Sequence, residues 1–257
     1  MLVDTHTHLY LDAFSADRDE MVQRALHAGV SRMLLPNINH STIRPLLHMA
    51  DAYPDICLPM MGLHPTSVKA DFKKALASVE EVIDLPGVVA IGEIGMDLYW
   101  DQTYVREQKQ VFRTQIRWAR ERSLPIVIHA RDSFQEIFRV LDQEGTSGLN
   151  GVFHSFSGTG KELEKALSYG FMIGINGIVT FKNSTLGNLV TEIPREKILL
   201  ETDAPFLAPV PYRGRRNESS YLVNIAQRVA EIYNLTFEET GKITTRNAEV
   251  LFKLSPP

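Results

Sequence analysis

The clearest pattern in the chain is an alternation of short apolar runs with longer segments whose apolar residues recur every three or four positions. The run that begins at Leu2 is followed by such a segment, Arg18–Gly29, which ends on a glycine suited to a helix C-cap. Short runs rich in β-branched residues are typical of buried strands. The predicted strands are Leu2–His8, Met33–Asn37, Ile56–His64, Val88–Glu93, Pro125–His129, Gly151–His154, Phe171–Asn176 and Lys197–Asp203.

The segments between these runs have the periodicity of amphipathic helices, in which one face packs against a core. The longest of them is Val105–Arg122, with Val111, Ile116 and Ala119 among its core-facing residues. The predicted helices are Arg18–Gly29, Thr42–Tyr53, Phe72–Leu85, Val105–Arg122, Phe134–Gln143, Lys161–Ser168, Leu186–Ile193, Tyr221–Tyr233, Phe237–Lys242 and Thr245–Leu254.

Strands that alternate with helices along a chain form parallel sheets, and near-continuous apolar strands are covered on both faces. Eight such units in about 250 residues have the size and rhythm of a (β/α)8 TIM barrel. An open doubly wound sheet is the alternative, but no Gly-X-Gly-X-X-Gly turn follows the first strand. No linker or low-complexity segment divides the chain. We therefore expect a single barrel domain over residues 1–257.

Composition narrows the class of protein. The formal net charge of −4 and the pI near 6.1 argue against a strongly basic protein that coats nucleic acid. The one cysteine, Cys57, excludes a disulfide framework and a thiolate metal cluster. No apolar run approaches the ~18 residues of a membrane span, and the N-terminus lacks a signal-peptide pattern. We expect a soluble, cytoplasmic protein with no membrane association and no obligate protein partner.

Residues with metal-binding chemistry recur where the predicted strands end. His6 and His8 would project side by side from a strand, whereas a helix would splay them roughly 200° apart. A single histidine at a strand end is usually structural, but several at equivalent positions of one barrel need partners or a metal. These strand ends form the rim where barrel active sites lie. The residues are His6, His8, His64, Glu93, His129, His154 and Asp203.

Imidazole and carboxylate groups without sulfur suit zinc, manganese, magnesium or similar divalent ions. Four histidines and two acids exceed what one hydrolytic zinc needs, which predicts two ions that share a carboxylate. Glu93 is the predicted bridge because it lies midway round the barrel. Strands one and eight become neighbours when the barrel closes, which brings Asp203 to the first histidine pair. The predicted ligands are His6, His8 and Asp203 for one ion and His129 and His154 for the other, with Glu93 between them.

Six ordered motifs resemble the TatD family of metal-dependent deoxyribonucleases. They are Asp4–Leu9 (DTHTHL), Gly62–Pro65 (GLHP), Gly92–Asp97 (GEIGMD), His129–Arg131 (HAR), His154–Gly158 (HSFSG) and Glu201–Pro205 (ETDAP), and the similarity continues to Asn247–Phe252. The resemblance implies a (β/α)8 barrel with divalent metals that hydrolyses phosphodiester bonds of DNA from single strands or 3′ ends. It agrees with the ligand assignment above, and it adds His64 as a contact to the substrate phosphate or to a metal-binding residue, rather than as a metal ligand.

A basic loop follows the last predicted strand of this acidic protein. Arginine forks suit phosphate groups, so we predict that Arg213 and Arg215 contact the substrate. The loop also departs from the family, whose members often read Tyr-Arg-Gly-Lys-X-Asn-Glu-Pro. Here Tyr212–Ser219 reads YRGRRNES and lacks the proline.

Two acids are assigned catalytic roles. Asp203 would bind a metal and accept the proton of the attacking water, which a carboxylate within hydrogen-bond reach can do. Glu93 would bridge the ions, and Glu201 is a candidate for orienting an imidazole. Three aromatic residues near the ligand strands could stack on bases or pack at the rim, and they are not counted as site residues. They are Tyr99, Trp100 and Phe206.

The main alternative function is amidohydrolase-type cleavage of C–N, lactone or ester bonds, since His-X-His on the first strand occurs across such barrels. Many of these enzymes have a carboxylated lysine at the end of strand four, where this chain has Glu93 and no lysine. A non-catalytic metal-binding module is a third class, but the complete ligand set and the candidate base argue against it. We therefore expect the activity that the resemblance implies, that of a 3′–5′ deoxyribonuclease, with two divalent ions, either zinc, magnesium or manganese.

Overall fold

Eight parallel strands alternate with helices through the computed structural model, which describes residues 1–255. The strands are three to seven residues long. They are β1 (Leu2–Asp4), β2 (Val30–Pro36), β3 (Cys57–Met60), β4 (Ile91–Asp97), β5 (Ile126–Arg131), β6 (Gly151–Phe153), β7 (Met172–Ile175) and β8 (Ile198–Leu200).

The α-helices lie between the strands and after β8. They are α1 (Arg18–His27), α2 (His40–Ala52), α3 (Phe72–Glu80), α4 (Val105–Arg122), α5 (Phe134–Glu144), α6 (Gly160–Ser168), α7 (Leu186–Val190), α8 (Leu222–Tyr233) and α9 (Phe237–Phe252). Within residues 1–255, no helix combines the length and the hydropathy that a membrane crossing requires.

Hydrogen bonds close the strands into a ring. Parallel pairing runs from β1 to β3 and from β4 to β8. On one side the amide of Met61 donates to Ala90 O (3.0 Å) and joins the end of β3 to the start of β4. On the other side the amide of Thr5 donates to Leu200 O (3.1 Å) and joins β1 to β8. The chain therefore forms the (β/α)8 barrel that its pattern predicts, and the open-sheet alternative is wrong.

The barrel interior is apolar at the end where the strands begin, and the last helix, α9, closes this end. Ala248, Leu251 and Phe252 of α9 pack against one buried side chain from each strand or its start. A second, larger apolar cluster packs the strands against the outer helices. Because α9 covers this end, the open end lies at the carboxyl ends of the strands. The strand residues of the apolar cluster that α9 closes are Val3, Leu34, Met60, Ala90, Val127, Val152, Met172 and Leu199.

The C-terminal helix differs from the prediction. The segments Phe237–Lys242 and Thr245–Leu254, predicted as two helices, belong to one helix, α9. Gly241 weakens a helix locally, but a Cβ at this position would lie 3.2 Å from Met1 O and 3.5 Å from the Leu2 side chain. The glycine lets α9 pack closely on the start of β1, and this packing outweighs the local propensity.

Strand β4 lies further along the chain than the predicted Val88–Glu93. It starts at Ile91. It continues past Glu93 because Gly95 allows a close approach to β5. Gly95 has a φ of 134°, and a Cβ there would lie 2.2 Å from His129 O. Glu93 is therefore in the middle of its strand rather than at its end.

Five other strands are shorter than predicted and end before the polar residues expected at their ends. β1 ends at Asp4, β3 at Met60, β6 at Phe153, β7 at Ile175 and β8 at Leu200. Those polar residues lie in the segments that follow, where the backbone leaves the sheet at the open end of the barrel. Their predicted location at the rim is unchanged, but strand geometry does not account for their directions.

Candidate metal centre

His6 and His8 lie in a segment that continues the pairing of β1 with β8. The amide of Asp203 donates to His6 O (2.9 Å), and the amide of His8 donates to Ala204 O (2.8 Å). The two imidazole rings are 5.1 Å apart between centroids. Closure of the barrel thus brings Asp203 beside a histidine pair that is almost 200 residues away in the chain, as predicted from the strand order.

Asp203 faces both of these histidines. Its Oδ1 lies 3.5 Å from His8 Nε2 and 3.8 Å from His6 Nε2. The residue has a φ of 56°, in the left-handed region that non-glycine residues adopt only when surrounding contacts maintain it. The three side chains offer ligand atoms that all lie within 4.8 Å of one another, which is close enough to hold one ion.

Glu93 lies at the centre of the cluster, with its carboxylate buried. Its Oε2 is 3.1 Å from His6 Nε2 and 3.8 Å from His8 Nε2. Its Oε1 is 2.8 Å from His129 Nδ1 and 3.8 Å from His154 Nε2. One carboxylate therefore faces imidazoles on both sides, which is the geometry that a bridging ligand needs.

The state of His6 fits a metal ligand. The side chain is fully buried, and neither ring nitrogen makes a hydrogen bond, although Nε2 lies near Glu93. A buried polar atom without a partner is costly, and a bound cation would remove that cost. Burial also lowers the pKa of His6 to about 4, so the ring is neutral at pH 7 and has the lone pair that metal binding requires.

His129 and His154 are each held by a second carboxylate. His129 Nε2 lies 2.9 Å from Asp97 Oδ2, and His154 Nδ1 lies 2.9 Å from Glu201 Oε1. Burial would lower both imidazole pKa values, but the neighbouring acids outweigh it and raise them to about 9 and about 10. Carboxylates behind the rings are the usual way in which proteins orient histidine ligands. Glu201 thus has the position expected of it.

His8 is oriented by a tyrosine. The hydroxyl of Tyr10 lies 2.9 Å from His8 Nδ1 and donates to Pro36 O (2.5 Å). Because the hydroxyl hydrogen is used by the carbonyl, the hydroxyl oxygen accepts from Nδ1–H. Nδ1 is thus occupied by the tyrosine, and Nε2 is the ring nitrogen that faces Asp203 and would bind an ion.

Asp4 connects the His-X-His segment to the loop after β8. Its Oδ2 accepts hydrogen bonds from Thr202 Oγ1 and Ser219 Oγ, both at 2.6 Å, and its Oδ1 accepts from Thr202 N (2.9 Å). Burial raises the pKa of Asp4 to about 7 despite these bonds. Ser219 stands where the family often has proline, so this departure adds a hydrogen bond behind the metal-binding segment.

His64 lies closer to the cluster than a substrate contact needs to. Its Nε2 is 3.3 Å from Glu93 Oε1 and 3.3 Å from His129 Nδ1. By distance, His64 groups with Glu93 and His129, whereas His154 groups with His6 and Glu93. The predicted pairing of His129 with His154 is therefore less direct than expected, and the role of His64 stays a prediction.

The cluster lines a cavity of about 460 Å³ at the open end of the barrel. The two predicted substrate arginines are exposed and are not among the cavity-lining residues within the described part of the chain. The Arg213 guanidinium packs over the ring of Phe181 at 3.7 Å. A contact of Arg213 or Arg215 with substrate would have to lie outside this cavity, and it stays a prediction.

Asp97 and Tyr10 are site residues that the sequence pattern did not single out. Asp97 belongs to the Gly92–Asp97 motif, but a strand that ended at Glu93 left it in a loop. Tyr10 continues the two-residue spacing of the histidine pair, and that spacing was the signal that could have identified it.

Comparison with known proteins agrees with this geometry. A sequence model of the family described as TatD related DNase matches residues 3–253. The "Uncharacterized metal-dependent hydrolase YabD" of Bacillus subtilis (strain 168) is 38% identical over 256 residues, which are 99% of this chain and 100% of that protein. A "3'-5' ssDNA/RNA exonuclease TatD" of Erwinia tasmaniensis is 34% identical over 259 residues, covering 98% of this chain and 100% of that protein.

The fold also matches a solved structure of similar size. The crystal structure of YJJV, a TatD homolog from Escherichia coli k12, superposes with a TM-score of 0.91 at 26% sequence identity. The match covers 99% of this chain and 98% of the other. The shared architecture therefore includes the barrel and the segments that carry the cluster.

Proposed function

The chain belongs to the family of TatD-related DNases, and we propose that it is a divalent-metal-dependent hydrolase of phosphodiester bonds in DNA. The observation that carries the proposal is the position of Glu93, whose two oxygens face imidazoles on both sides. Burial of imidazoles and carboxylates is costly, and a cation bound at the open end of the barrel would offset that cost.

The proposed cofactor is a pair of divalent ions per chain, either zinc, magnesium or manganese. The two-sided position of Glu93 and the unpartnered nitrogens of buried His6 support this number. Bound ions would polarise a phosphoryl oxygen and lower the pKa of water. The assigned ligands are His6, His8 and Asp203 on one side and His129 and His154 on the other, with Glu93 shared.

Asp203 is the proposed proton acceptor. Its side chain is 15% exposed, against 3% for Glu93, so it is the acid of the cluster more open to the cavity. The carboxylate is held beside His6 and His8, and it can take a proton from a water placed against the substrate phosphorus. Glu93 is buried among imidazoles and serves to fix them.

The proposed substrate is single-stranded DNA or a 3′ end, attacked as by a 3′–5′ exonuclease. The cavity has the volume of a small-molecule pocket, which suits the end of one strand. We assign His64, whose Nε2 lies 3.3 Å from Glu93 Oε1, to contact with the phosphate beside the cluster. Arg213 and Arg215 would contact phosphates further along the strand. The amidohydrolase alternative is not favoured, since β4 contains no lysine and the family relationship favours nucleic acid.

The proposal also covers the domain that carries the activity and the location of the protein. We place the activity in one domain over residues 1–257, which is supported by the ring of strands and its closure by α9. We also place the protein in the cytoplasm, which is supported by the single buried cysteine.

The test uses protein that has been stripped of metal and then given Mg²⁺, Mn²⁺ or Zn²⁺. It is assayed on single-stranded DNA labelled at the 5′ or the 3′ end, and in parallel on lactones and amides. We expect metal-dependent shortening from the 3′ end. Turnover of lactones or amides by metal-loaded protein that leaves DNA intact would contradict the proposal.

A further inference from the structure

The exposed aromatic side chains of this protein are concentrated at the open end of the barrel. Within residues 1–255, three aromatic side chains are exposed: Trp100 (72%), Tyr99 (53%) and Phe206 (53%). Trp100 and Phe206 line the metal-centre cavity, and Tyr99 contacts Trp100 edge-on at 4.9 Å. Large exposed aromatic side chains are costly in water, and their placement round one cavity marks a binding surface.

Trp100 is tied to a metal-ligand histidine through one carboxylate. Asp97 Oδ1 accepts hydrogen bonds from the amides of Tyr99 (3.0 Å) and Trp100 (3.1 Å), while Asp97 Oδ2 contacts His129. The guanidinium of Arg131 stacks over the Tyr99 ring at 4.5 Å. These contacts fix the loop that carries Trp100 relative to the cluster.

Two hydrogen bonds hold the backbone of Phe206 next to Asp203. Its amide donates to Asp203 O (2.9 Å), and its carbonyl accepts from Asn217 Nδ2 (2.6 Å). The ring lies edge-on to His8 at 6.3 Å. Trp100 follows β4 and Phe206 follows β8, and these strands are opposite each other in a closed ring of eight. The segments that carry the two aromatic side chains therefore leave the barrel at opposite strands of the ring, and both side chains line the cavity between them.

We propose that Trp100 and Phe206 stack on unpaired nucleobases on either side of the scissile phosphate and so select single-stranded nucleic acid. This inference rests on the proposed function and names two residues that determine its substrate. Aromatic side chains stack on any base, whereas the bases of a duplex are already stacked on each other. A paired end would have to open before either side chain could be used.

The first test uses the fluorescence of Trp100. The chain has two tryptophans, and Trp118 is buried in α4, so Trp118→Phe leaves Trp100 as the only tryptophan. This variant is stripped of metal to prevent cleavage. It is titrated with a short single strand and with the same strand made abasic near its 3′ end. In parallel, the fluorescence anisotropy of a labelled copy of each strand measures binding. We expect the normal strand to quench the fluorescence and the bound abasic strand to leave it unchanged. Bound normal strand without quenching would overturn the proposal, and so would absence of binding.

The second test compares kinetics in metal-loaded protein. Trp100→Ala and Phe206→Ala should each raise KM for the normal strand about 5- to 100-fold, and Trp100→Phe should restore much of the affinity. On the abasic strand, both variants should match the wild-type protein. Val250→Ala is the matched control, because Val250 is 66% exposed on α9 at the closed end.

The outcomes of the second test separate the two proposals. If the wild-type protein cleaves neither strand, the proposed function fails, and the fluorescence test still decides on stacking. If it cleaves both strands and the variants lose activity equally on both, the aromatic residues are structural and the inference is wrong. An effect at only one of the two positions would also overturn the proposed pair.

Discussion

The barrel interior buries side chains at both ends, but the two ends differ in chemistry. At the closed end, Val3 of β1 and Leu199 of β8 pack with Phe252 of α9 in an apolar cluster. At the open end, His6 and Asp203 follow the same two strands and face each other in a cluster of imidazoles and carboxylates. A few residues along one strand thus separate a packing role from a chemical one.

From this difference we predict which end stabilises the fold and which end carries the chemistry. Apolar burial at the closed end contributes about 25 cal/mol per Å² removed from water. Burial of ionisable groups at the open end is costly without partners or a cation. Substitutions at the closed end should therefore change stability and leave the chemistry intact, and substitutions at the open end should do the reverse.

The largest effect is expected at the centre of the open end. Glu93→Gln keeps the shape of the side chain but removes the charge that faces five imidazoles. DNA hydrolysis should fall at least about 10³-fold together with bound metal, while the thermal midpoint of the metal-free protein is maintained. Glu80→Gln, the same change on an exposed position of α3, is the control. A variant that keeps its metal and its activity would show that Glu93 is not the bridge.

The next effect is expected at the closed end and concerns stability. Phe252→Ala removes a buried ring from the cluster that α9 completes, and should lower the free energy of unfolding by about 3–5 kcal/mol in denaturant titrations. The exposed neighbour Val250 gives the control, since Val250→Ala should change stability by no more than about 0.5 kcal/mol. The kcat of folded Phe252→Ala should equal that of the wild-type protein. A large drop in kcat would mean that the two ends are not independent.

A smaller effect is expected at a residue that touches a ligand rather than the ions. Asp97→Asn replaces the carboxylate that contacts His129 Nε2 with an amide. This change should reduce metal affinity or activity about 10- to 100-fold. Asp101→Asn, in the same loop but paired with Lys69, is the matched control. Unchanged metal affinity in Asp97→Asn would show that His129 is oriented by Glu93 alone.

The smallest effect is expected outside the cavity. The double variant Arg213→Ala/Arg215→Ala removes two exposed charges that are not cavity-lining residues. KM for DNA should rise only a few-fold with kcat unchanged, and the slope of log KM against log salt should fall by about 0.7 for each phosphate that an arginine neutralised in the wild-type protein. An unchanged salt dependence would show that neither arginine contacts the substrate.

The sequence alone was sufficient to predict the barrel, because eight apolar runs alternate with helical periodicity and leave few other arrangements. It also predicted which polar residues meet, since closure of the ring makes β1 and β8 neighbours. It did not predict the extension of β4, which depends on the close approach of Gly95 to the backbone of His129. For the same reason Asp97 was missed, because its contact with His129 exists only once β4 continues beyond Glu93.

We expect the cluster around Glu93 to hold the divalent ions that DNA hydrolysis requires. The most direct measurement is a titration of metal-stripped protein with Mn²⁺, in which bound metal and the rate of single-strand hydrolysis are determined on the same samples. We predict no hydrolysis without metal, and a rate that rises with occupancy to a plateau near about two ions per chain. Full hydrolysis by metal-free protein, or no hydrolysis at full occupancy, would show that ions in this cluster do not drive the reaction.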